Sequence, residues 1–548
     1  MPGRVLIVGG MAAGASCAAR LRRLDDRAEI VMFERQPWVS LASCGLPYLA
    51  GGIIRDEARL SVATPELLRA RFNIDARTET EVLSIERDRR TVRVHNLRTG
   101  DNAEERYDAL VLATGSAPVR PPWPGIDLPG VFSMRTLNDV RALSKWIADT
   151  RPERATVIGA GLIGLEMVEN LAARGLRVSL IEKMPQVAPV LDREMAEPLL
   201  RALEANRVDA TVGDGVAGLE EGADGGLAVR TWAGREIKTG AVVVAVGVKP
   251  DTALARAAGL EIGESGGVRV DSAMRTSDPA IWAIGDAAEA AHTVTGEACL
   301  PAQAGPASRQ GRVAADAICG RASTFRGVQG TVAFRCFGVT AAVTGATEAA
   351  LQRAGAENYE AVYLHPDHHA AFYPEATPIH MKILFSREDG LILGAQAVGQ
   401  SGAERRIDVI AMAIQKGGTV FDLEEADLCY APQFGAARDA VNLAGMVAAN
   451  ALRGDMPVAR WSEIANPCVL IMDVRDPDEY AADHVEGAIN VPFAELRARM
   501  PDLPACREIW VTCGVGQRAY FAARLLMQHG FQARVLPGGY RTYCGWYS

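Results

Sequence analysis

The sequence predicts an α/β protein of several domains, in which two nucleotide-binding βαβ units are followed by two further domains. A pattern of strand, glycine turn, helix, strand and acidic residue occurs twice, and this pattern is typical of units that hold a dinucleotide. After residue 326, stretches of alternating polarity such as His380–Phe385 and Leu391–Val398 predict strands, and Ile407–Lys416 and Ala436–Ala451 predict helices. A chain of 548 residues is also too long for one hydrophobic core, so three or four domains are expected.

Composition and charge exclude several classes of protein. The chain is 49% hydrophobic and 23% charged, which is typical of a soluble globular protein. The net charge of −9, without a long basic run, argues against nucleic acid as a partner. Ten cysteines are scattered without a disulfide-framework spacing or a CxxC pair. This pattern predicts no metal site and fits a reducing cytoplasm.

The N-terminus allows two interpretations. Arg4 followed by the uncharged run Val5–Ala19 has the pattern of a signal peptide. However, glycines interrupt this run where a strand would turn into a helix, and we therefore favour a nucleotide-binding unit. No other uncharged apolar run is long enough to cross a bilayer, so the sequence predicts a cytoplasmic protein without a membrane partner.

The first nucleotide unit opens the chain. Its parts are the strand Arg4–Val8, the glycines Gly9, Gly10 and Gly14, a helix to about Leu24, and the strand Glu29–Phe33. Glu34 follows the second strand, where an acid is placed to bind ribose hydroxyls, while the helix N-terminus binds pyrophosphate. Met11 replaces the middle glycine of the fingerprint, so an ordinary βαβ turn remains the alternative.

The second nucleotide unit has the complete fingerprint. Its parts are the strand Arg154–Ile158, the glycines Gly159, Gly161 and Gly164, and the strand Arg177–Ile181. Glu182 after the second strand favours a free 2′-hydroxyl and hence NADH, although Lys183 beside it keeps NADPH open. The strand Ala241–Val246 with Gly247 is expected to close this unit.

Two further stretches flank the second unit. Tyr107–Pro118, which contains Thr114 and Gly115, predicts a buried strand that ends in a glycine turn. Thr276–Ala287 predicts a strand that ends at Asp286, a residue placed either to bind a sugar hydroxyl or to cap a helix. The second unit is therefore inserted into the first, and this arrangement indicates one bound flavin and one transient nicotinamide.

A single cysteine, Cys44, lies in the glycine- and proline-containing stretch SLASCGLPYLAGG (residues 40–52). The position five residues later is Leu49, so no second thiol is available locally. Cys44 would react with a sulfur of the substrate or pass through a sulfenic acid; a small buried structural cysteine is the alternative. Ser16, Arg20 and Arg23 share one face of the first helix, which suits either a phosphorylated substrate or a solvated basic surface.

These motifs together resemble the pyridine nucleotide–disulfide oxidoreductases, and within them the single-cysteine CoA-disulfide reductases and their rhodanese-fused members. The stretches that carry the resemblance are GGMAAGAS (9–16), SLASCGLPY (40–48), GAGLIGLEMVENL (159–171), AIGDA (283–287) and AGPASRQGR (304–312). The resemblance implies two Rossmann-like domains, for FAD and NAD(P)H, an α+β dimerisation domain and a C-terminal α/β rhodanese domain. The predicted boundaries are 1–150 with 251–325 for FAD, 151–250 for NAD(P)H, 326–452 for dimerisation, 453–457 for a linker and 458–548 for rhodanese.

The resemblance also assigns roles to residues. FAD would be held by Gly9, Gly10, Gly14, Glu34, Arg35, Thr114, Gly115 and Asp286, and NADH or NADPH by Gly159, Gly161, Gly164, Glu182 and Gly247. CoA, as substrate or as a bound cofactor, would contact Ser16, Arg20, Arg23, Ser40, Ser43, Arg71 and Arg438. Cys44 would be the redox nucleophile. In a homodimer, the hydroxyls of Tyr373 and Tyr430 of one subunit would lie near Cys44 of the other as candidate catalytic groups. Phe372 and Phe434 stand where relatives often carry tyrosine, so the acid that protonates the leaving thiol stays open, and packed interface aromatics are the alternative for both tyrosines.

The last domain, after the linker Arg453–Pro457, resembles a rhodanese. Its loop Cys513–Arg518 has six residues, one fewer than comparable phosphatase loops, and this size suits a persulfide sulfur. Successive backbone N–H groups, the helix dipole and Arg518 are expected to stabilise a Cys513 thiolate. Asp473, Arg475 and His484 are expected to hold the fold, and an inactive rhodanese fold is the alternative interpretation.

The sequence therefore predicts FAD-dependent, NAD(P)H-driven reduction of a CoA persulfide, a polysulfide or a CoA disulfide at Cys44. Sulfane-sulfur transfer at Cys513 would be coupled to this reduction. One alternative is an NADH oxidase or peroxidase in which Cys44 cycles through a sulfenic acid. A second alternative is a redox-sensing flavoprotein that is not an enzyme and uses Cys513 to recruit other proteins.

Overall fold

The computed structural model describes residues 3–222, 225–504 and 506–547, which fold as two compact units. The first unit comprises the chain up to Lys183 together with Val208–Val328. The second comprises Met184–Arg207 together with the chain from Gln329 onward. The predicted domain boundaries divide the chain more finely than these two units and stay a prediction. Among the described helices, none is both long and apolar enough to cross a membrane.

The helices and strands have the following bounds. The α-helices are α1 (Ala12–Leu24), α2 (Leu46–Ala50), α3 (Pro65–Phe72), α4 (Leu137–Thr150), α5 (Leu162–Ala173), α6 (Arg193–Ala205), α7 (Ala253–Ala257), α8 (Ala304–Ile318), α9 (Glu348–Arg353), α10 (Ala403–Gln415), α11 (Val420–Glu424), α12 (Ala440–Leu452), α13 (Pro477–Ala482), α14 (Leu496–Arg499), α15 (Gln517–Gln528) and α16 (Gly539–Tyr547). The β-strands are β1 (Arg4–Val8), β2 (Glu29–Phe33), β3 (Ile74–Arg77), β4 (Thr80–Glu86), β5 (Thr91–Asn96), β6 (Asn102–Arg106), β7 (Ala109–Leu112), β8 (Ser116–Pro118), β9 (Val131–Phe132), β10 (Arg154–Ile158), β11 (Arg177–Glu182), β12 (Asp209–Val212), β13 (Val216–Glu221), β14 (Leu227–Thr231), β15 (Glu236–Thr239), β16 (Ala241–Val244), β17 (Val248–Pro250), β18 (Ile281–Ala283), β19 (Ala290–Ala291), β20 (Ala298–Cys299), β21 (Val332–Cys336), β22 (Val339–Gly345), β23 (Tyr359–Leu364), β24 (Ile379–Ser386), β25 (Ile392–Gly399), β26 (Val469–Asp473), β27 (Ile489–Asn490), β28 (Glu508–Thr512) and β29 (Ala533–Val535).

The first unit contains two five-stranded parallel sheets, one for each predicted nucleotide site. Their strand orders are β18-β7-β1-β2-β3 and β12-β11-β10-β16-β9. The central strands β1 and β10 are apolar runs that are buried on both faces, as expected where helices cover a parallel sheet. In both sheets the glycine turn and the acidic residue lie at the carboxyl ends of adjacent strands, which is where ligands bind in such sheets.

The second unit contains an antiparallel sheet and a parallel sheet. The antiparallel sheet has the order β21-β22-β25-β24-β23 and the parallel sheet has the order β27-β26-β28-β29. One continuous cluster of buried apolar side chains includes residues of both sheets, from Ala342 to Val535. The α6 helix belongs to this unit and packs on β25 and α16.

Most predicted elements are present, and the differences lie at their ends. Tyr107–Pro118 is two strands, because the chain turns at Gly115 (φ +73°) and β8 then pairs antiparallel with β17. The α12 helix begins at Ala440 rather than near residue 436, because the Asp439 side chain accepts a hydrogen bond from the Val441 backbone N–H and caps the helix. The α10 helix begins at Ala403, four residues earlier than predicted.

Candidate active sites

A cavity of about 500 Å³ lies at the carboxyl end of the first sheet. Its walls include the predicted flavin-site residues Gly9, Glu34, Arg35, Thr114 and Gly115. A Cβ atom on Gly9 (φ +103°) would lie 2.2 Å from the Ala113 carbonyl oxygen. A Cβ atom on Gly14 would lie 1.9 Å from the Gly9 carbonyl oxygen. Glycine is therefore required at both positions if helix and turn are to approach this closely.

Met11 occupies the fingerprint position that carries glycine in the usual pattern. Its backbone is extended (φ −86°) and it forms the N-cap of α1, so the backbone conformation itself does not require glycine. The Met11 side chain forms part of the cavity wall. The departure from the fingerprint is therefore compatible with the turn.

Glu34 organises the first fingerprint turn. Its carboxylate accepts hydrogen bonds from the backbone N–H groups of Gly10 (2.8 Å) and Gln36 (2.9 Å). Burial raises the pKa of Glu34, while these backbone hydrogen bonds act in the opposite direction. An acid held in this way beside the cavity fits the ribose of a dinucleotide.

Asp286 and Arg35 are both held by polar partners. The Ser116 hydroxyl donates to Asp286 (2.7 Å), and an Arg135 guanidinium nitrogen lies 3.4 Å from the same carboxylate oxygen. Arg35 forms an ion pair with Asp251 (3.1 Å), whose carbonyl accepts the hydroxyl of Thr114 (2.6 Å). No local pattern in the sequence points to Ser116, Arg135 or Asp251, because these contacts join residues more than a hundred positions apart.

The glycine turn of the second fingerprint is packed like that of the first, except that its middle glycine, Gly161, has free space beside it. A Cβ atom on Gly159 (φ +102°) would lie 2.4 Å from the Ala245 carbonyl oxygen, and one on Gly164 would lie 1.9 Å from the Gly159 carbonyl oxygen. At Gly161 no atom of the described chain lies within 4 Å of that position, which leaves room for a close ligand. Glu182 is buried and accepts the Ala160 N–H (2.7 Å). These residues fit a nicotinamide dinucleotide.

Gly247 (φ +109°) accepts the Val119 N–H through its carbonyl and helps to close this unit.

Cys44 is exposed on a 3-10 turn, Ser43–Gly45, that continues directly into α2. One turn later the Tyr48 hydroxyl donates to Glu166 of α5 (3.1 Å). Neither Tyr48 nor Glu166 was predicted as a site residue. For Tyr48, the spacing of four residues from Cys44 indicates that both side chains lie on one side of a helical turn.

The predicted CoA residues of the first unit differ in exposure and pairing. Ser16 hydrogen-bonds Ser308 (3.2 Å), and Arg20 binds Asp316 through two nitrogens (2.9 and 2.7 Å). The face of α1 is therefore less basic than the sequence indicated, because Asp316 balances the charge of Arg20. Arg23, Ser43 and Arg71 are exposed, and Ser40 is half-buried with a left-handed backbone (φ +49°).

Tyr373, Tyr430 and Arg438 belong to the second unit and lie on two loops that contact each other. The Ala370 N–H donates to the carbonyls of Pro432 (3.3 Å) and Gly435 (3.0 Å). Both tyrosines and Arg438 are exposed, as are Phe372 and Phe434. Their predicted approach to the cysteine of another subunit stays a prediction.

The loop Cys513–Arg518 curls around the Cys513 sulfur. The Gly516 N–H (φ +97°) donates to Sγ over 3.2 Å, and the thiol is buried. Behind the loop, a Cβ atom on Gly539 would lie 2.2 Å from the Cys513 carbonyl oxygen, so glycine is required there too. Arg518 forms a bidentate ion pair with Glu479 (2.7 and 2.8 Å). Because Glu479 partly neutralises this guanidinium, Arg518 stabilises a Cys513 thiolate less than predicted.

The contacts of three further rhodanese-domain residues, Asp473, Arg475 and His484, are with neighbouring side chains. Asp473 and Arg475 form a buried ion pair (2.7 Å), and the Arg475 guanidinium lies over the Tyr540 ring. His484 stacks on Tyr480 with ring centroids 3.9 Å apart. These contacts fit residues that hold the fold.

Comparison with known families agrees with this geometry. Residues 3–311 match the pyridine nucleotide-disulphide oxidoreductase family, and residues 333–441 match its dimerisation domain. The chain belongs to the pyridine nucleotide-disulphide oxidoreductase family. Residues 459–545 match the rhodanese-like domain. The predicted fold class is thereby confirmed.

Relatives and solved structures extend this similarity over almost the whole chain. The coenzyme A disulfide reductase of Staphylococcus epidermidis is 31% identical over 446 residues, which are 81% of this chain and 99% of that protein. The crystal structure of reduced Bacillus anthracis CoADR-RHD superposes with a TM-score of 0.97 at 40% identity, covering 99% of this chain and 98% of that one. An NAD-dependent persulfide reductase from A. fulgidus gives a TM-score of 0.92 at 36% identity, covering 98% and 100%.

Membership of this family confirms that the chain is an oxidoreductase that uses FAD and NAD(P)H. The residues around both fingerprint turns fit these two groups, as their glycine contacts and buried acids indicate. When bound, FAD supplies two-electron chemistry between the nicotinamide and a sulfur substrate.

Proposed function

We propose that this protein is an NAD(P)H-driven reductase of a CoA persulfide, a polysulfide or a CoA disulfide, with Cys44 as its redox thiol. The observation that carries the proposal is the exposed Cys44 on a turn of the flavin-binding unit, combined with the absence of a second cysteine between Cys17 and Cys299. Without a local partner thiol, Cys44 is available to bond to a sulfur of the substrate. The names of the relatives in Staphylococcus epidermidis and A. fulgidus point to the same chemistry.

The proposed reaction begins with attack of the Cys44 thiolate on the sulfane sulfur of a persulfide. CoA leaves as the thiolate, which takes a proton from solvent, and Cys44 carries the transferred sulfur as a persulfide. Two electrons from NAD(P)H then cleave the new S–S bond, which releases sulfide and restores the thiolate. With a CoA disulfide, the same attack releases one CoA, and reduction of the mixed disulfide releases the second.

The CoA moiety would be bound by exposed residues of the first unit, namely Arg23, Arg71 and Ser43. Guanidinium groups bind phosphate groups well, and the nucleotide end of CoA carries several. Binding energy from that end, far from the reacting sulfur, can lower the barrier at Cys44. Arg438 and the exposed tyrosines Tyr373 and Tyr430 would join the site from a second copy of the chain in a homodimer.

Cys513 would transfer sulfane sulfur between small thiols and the reductase. The proposal is supported by the Gly516 N–H on its sulfur and by the rhodanese-like match. A persulfide on Cys513 would lie inside a loop of backbone N–H groups, which stabilises negative charge on the outer sulfur.

The test is anaerobic NADH oxidation with CoA persulfide as acceptor, with sulfide release followed in the same sample. We expect one sulfide for each NADH in the wild type. Cys44→Ser should abolish this activity while FAD stays bound, as seen from its absorbance. Cys513→Ser is the matched control, because it removes the other sulfur-reactive thiol and should spare the reduction of CoA persulfide.

Three results would contradict the proposal. Full activity of the Cys44→Ser variant would remove Cys44 from the reaction. Rapid NADH consumption that needs oxygen and releases no sulfide would identify an NADH oxidase, the alternative function. If both variants lost the reductase activity, the two thiols would act in series rather than separately.

A further inference from the structure

One face of α5, the helix that begins at the second fingerprint, contacts the segment that carries Cys44. Glu166, Asn170 and Arg174 are four residues apart, so their side chains lie along one side of the helix and its C-terminal end. All three meet residues between Tyr48 and Gly51. These contacts lie within the first unit.

Two of the contacts fix the position of the segment. The Arg174 guanidinium donates to the Ala50 carbonyl (3.1 Å). A Cβ atom on Gly51 would lie 2.1 Å from the Asn170 amide oxygen, so the backbone of Gly51 rests directly on that amide. Asn170 is itself buried and held by a hydrogen bond from its Nδ2 to the Glu166 carbonyl (2.8 Å). The α2 segment therefore has a defined position on α5.

The third contact is the hydrogen bond from the Tyr48 hydroxyl to a Glu166 carboxylate oxygen (3.1 Å). The backbone runs from the turn at Cys44 through Gly45 and Leu46 in right-handed helical conformation. Residues four apart in such a turn are neighbours, which places Tyr48 on the same side as the Cys44 thiol.

Burial gives this pair unusual proton affinity. It raises the pKa of Tyr48 to about 12, and the charges of Glu166, Glu169 and Cys44 act in the same direction. Burial also raises the pKa of Glu166, with Glu169 adding to the effect and the Tyr48 hydrogen bond opposing it. The phenol consequently keeps its proton at neutral pH, and Glu166 takes up a proton more readily than an exposed carboxyl group does.

We propose that Tyr48 and Glu166 form a proton-holding pair that protonates the sulfur leaving Cys44. This inference rests on the proposed function of Cys44. In the doubly protonated pair, the Glu166 O–H donates to the phenol oxygen and the Tyr48 O–H is free to face the leaving sulfur. The pair lies in the same unit as Cys44, so this proton supply does not depend on the loops that carry Phe372 and Phe434.

A Cys44 persulfide (S–SH) takes two electrons from the hydride of NAD(P)H through the enzyme, and its S–S bond breaks; the proton of that hydride passes to solvent. The terminal sulfur leaves Cys44 as hydrosulfide and takes the proton of Tyr48 to form hydrogen sulfide, while Cys44 remains as the thiolate. The Glu166 proton moves to the Tyr48 oxygen in the same step, and water then returns one proton to Glu166. The pair therefore takes one proton from solvent in each turnover, and the hydride returns one.

The test of Tyr48 is the Tyr48→Phe holoenzyme, compared with Tyr107→Phe as a matched control. Tyr107 is a buried tyrosine in a different part of the first unit, whereas Tyr48 is half-buried. We expect Tyr48→Phe to lower kcat about 100-fold with KM for CoA persulfide unchanged, since that is the usual size of a general-acid contribution. Intact-protein mass measured during turnover should show Cys44 one sulfur atom heavier in this variant, because cleavage of the S–S bond becomes slow.

Two outcomes separate this inference from the proposed function. If the wild type mixed with CoA persulfide without NADH forms no Cys44 persulfide, the proposed function is wrong. If that persulfide forms, but Tyr48→Phe turns over normally or slows without accumulating it, the proton-holding pair is wrong. FAD content and thermal unfolding of the variant identify a folding defect, in which case the mass measurement is made on its folded, FAD-bound fraction.

Glu166→Gln tests the other half of the pair. In the wild type, kcat should fall as the pH rises through the raised pKa of Glu166, because the doubly protonated pair is lost. The glutamine amide donates to the phenol oxygen at every pH but has no proton to pass on, so the variant should have a lower kcat that does not change over this pH range. An identical decrease in both enzymes would exclude Glu166 from the proton supply.

Discussion

At the scale of single residues, the structure distinguishes glycines that the fold requires from glycines that leave room for a ligand. Gly164→Ala brings a Cβ atom to 1.9 Å from the Gly159 carbonyl oxygen, whereas Gly161→Ala meets no atom of the described chain within 4 Å. We expect Gly164→Ala to lower the free energy of unfolding by about 2 kcal/mol or more, as overpacking against backbone does. Gly161→Ala should unfold like the wild type and raise KM for NADH.

Thermal unfolding of the apoprotein and NADH kinetics together check this pair of variants. Equal stability of the two variants would show that the turn relaxes around a Cβ atom at Gly164. An unchanged KM for Gly161→Ala would place the nucleotide away from this turn. Met11 illustrates the same distinction, since it stands at the corresponding position of the first fingerprint without straining the backbone.

The sequence predicts residues of the site well where a local pattern specifies them. Gly9 and Glu34, for example, follow from the order of strand, turn, helix, strand and acid. Tyr48 and Glu166 are 118 positions apart, and Arg135 and Asp286 are 151 positions apart. Such pairs depend on how distant elements pack, and no local pattern records that packing.

At the scale of elements, α2 and α5 fit together through Gly51 and Asn170. The backbone of Gly51 is right-handed (φ −76°), so alanine suits its conformation and only the Asn170 amide, 2.1 Å from the new Cβ atom, opposes it. We expect Gly51→Ala to shift the Cys44 segment, which lowers both thermal stability and the rate of persulfide reduction. Asn170→Ala in the same chain removes the obstructing amide and should restore part of both properties.

Thermal unfolding and steady-state kinetics of the two single variants and the double variant complete this thermodynamic cycle. Additive effects would show that the two positions do not interact, which would contradict the packing of α2 on α5. The amide oxygen of Asn170 is buried in this contact and has no hydrogen-bond partner among the described residues.

A buried group of charges joins several elements of the second unit. Lys382 of β24 is 0% exposed, and its ammonium lies 2.7 Å from Asp192, 2.5 Å from Glu194 and 2.5 Å from Glu348. Lys382→Met leaves the three carboxylates without their cation. We expect the free energy of unfolding to fall by about 3–5 kcal/mol, as when one partner of a buried ion pair is removed.

Urea denaturation measures this loss. The matched control is Lys416→Met, which removes an exposed lysine of the same unit and should cost less than about 0.5 kcal/mol. Similar losses in both variants would mean that the carboxylates take up protons at little cost.

At the scale of the whole molecule, the repeated fingerprint and the two later motifs predict the fold class, and the structure confirms it. The sequence does not reveal that Met184–Arg207 packs with the second unit, because chain order alone places this segment with its neighbours on β11 and β12. Its α6 helix is amphipathic, and the partner of its apolar face is decided by tertiary packing rather than by the periodicity.

Within the second unit, two partly buried histidines link the antiparallel sheet to α16. The His365 ring hydrogen-bonds Thr542 of α16 (2.9 Å), and the His380 ring lies edge-on to it with centroids 4.8 Å apart. Burial lowers the pKa of His380 to about 4, with Arg541 and Arg201 adding to the effect. Burial also lowers the pKa of His365 well below its usual value. Both rings are therefore neutral in the folded protein near pH 6.

The lowered pKa values of His365 and His380 make the second unit sensitive to acid. A histidine in the unfolded chain binds a proton below a pH of about 6.5, whereas these two rings in the folded protein stay neutral at that pH. Stability is therefore complete above that pH and is lost as the pH falls from about 6.5 towards about 4. For His380 alone, the loss of unfolding free energy at pH 5 is about 2 kcal/mol.

His380→Gln should reduce this acid-dependent loss, measured by urea denaturation between pH 8 and pH 5. His529→Gln, which removes an exposed histidine of the same unit, should leave it unchanged. An acid-dependent loss that His380→Gln leaves intact would show that the folded protein accepts the proton on this ring without strain.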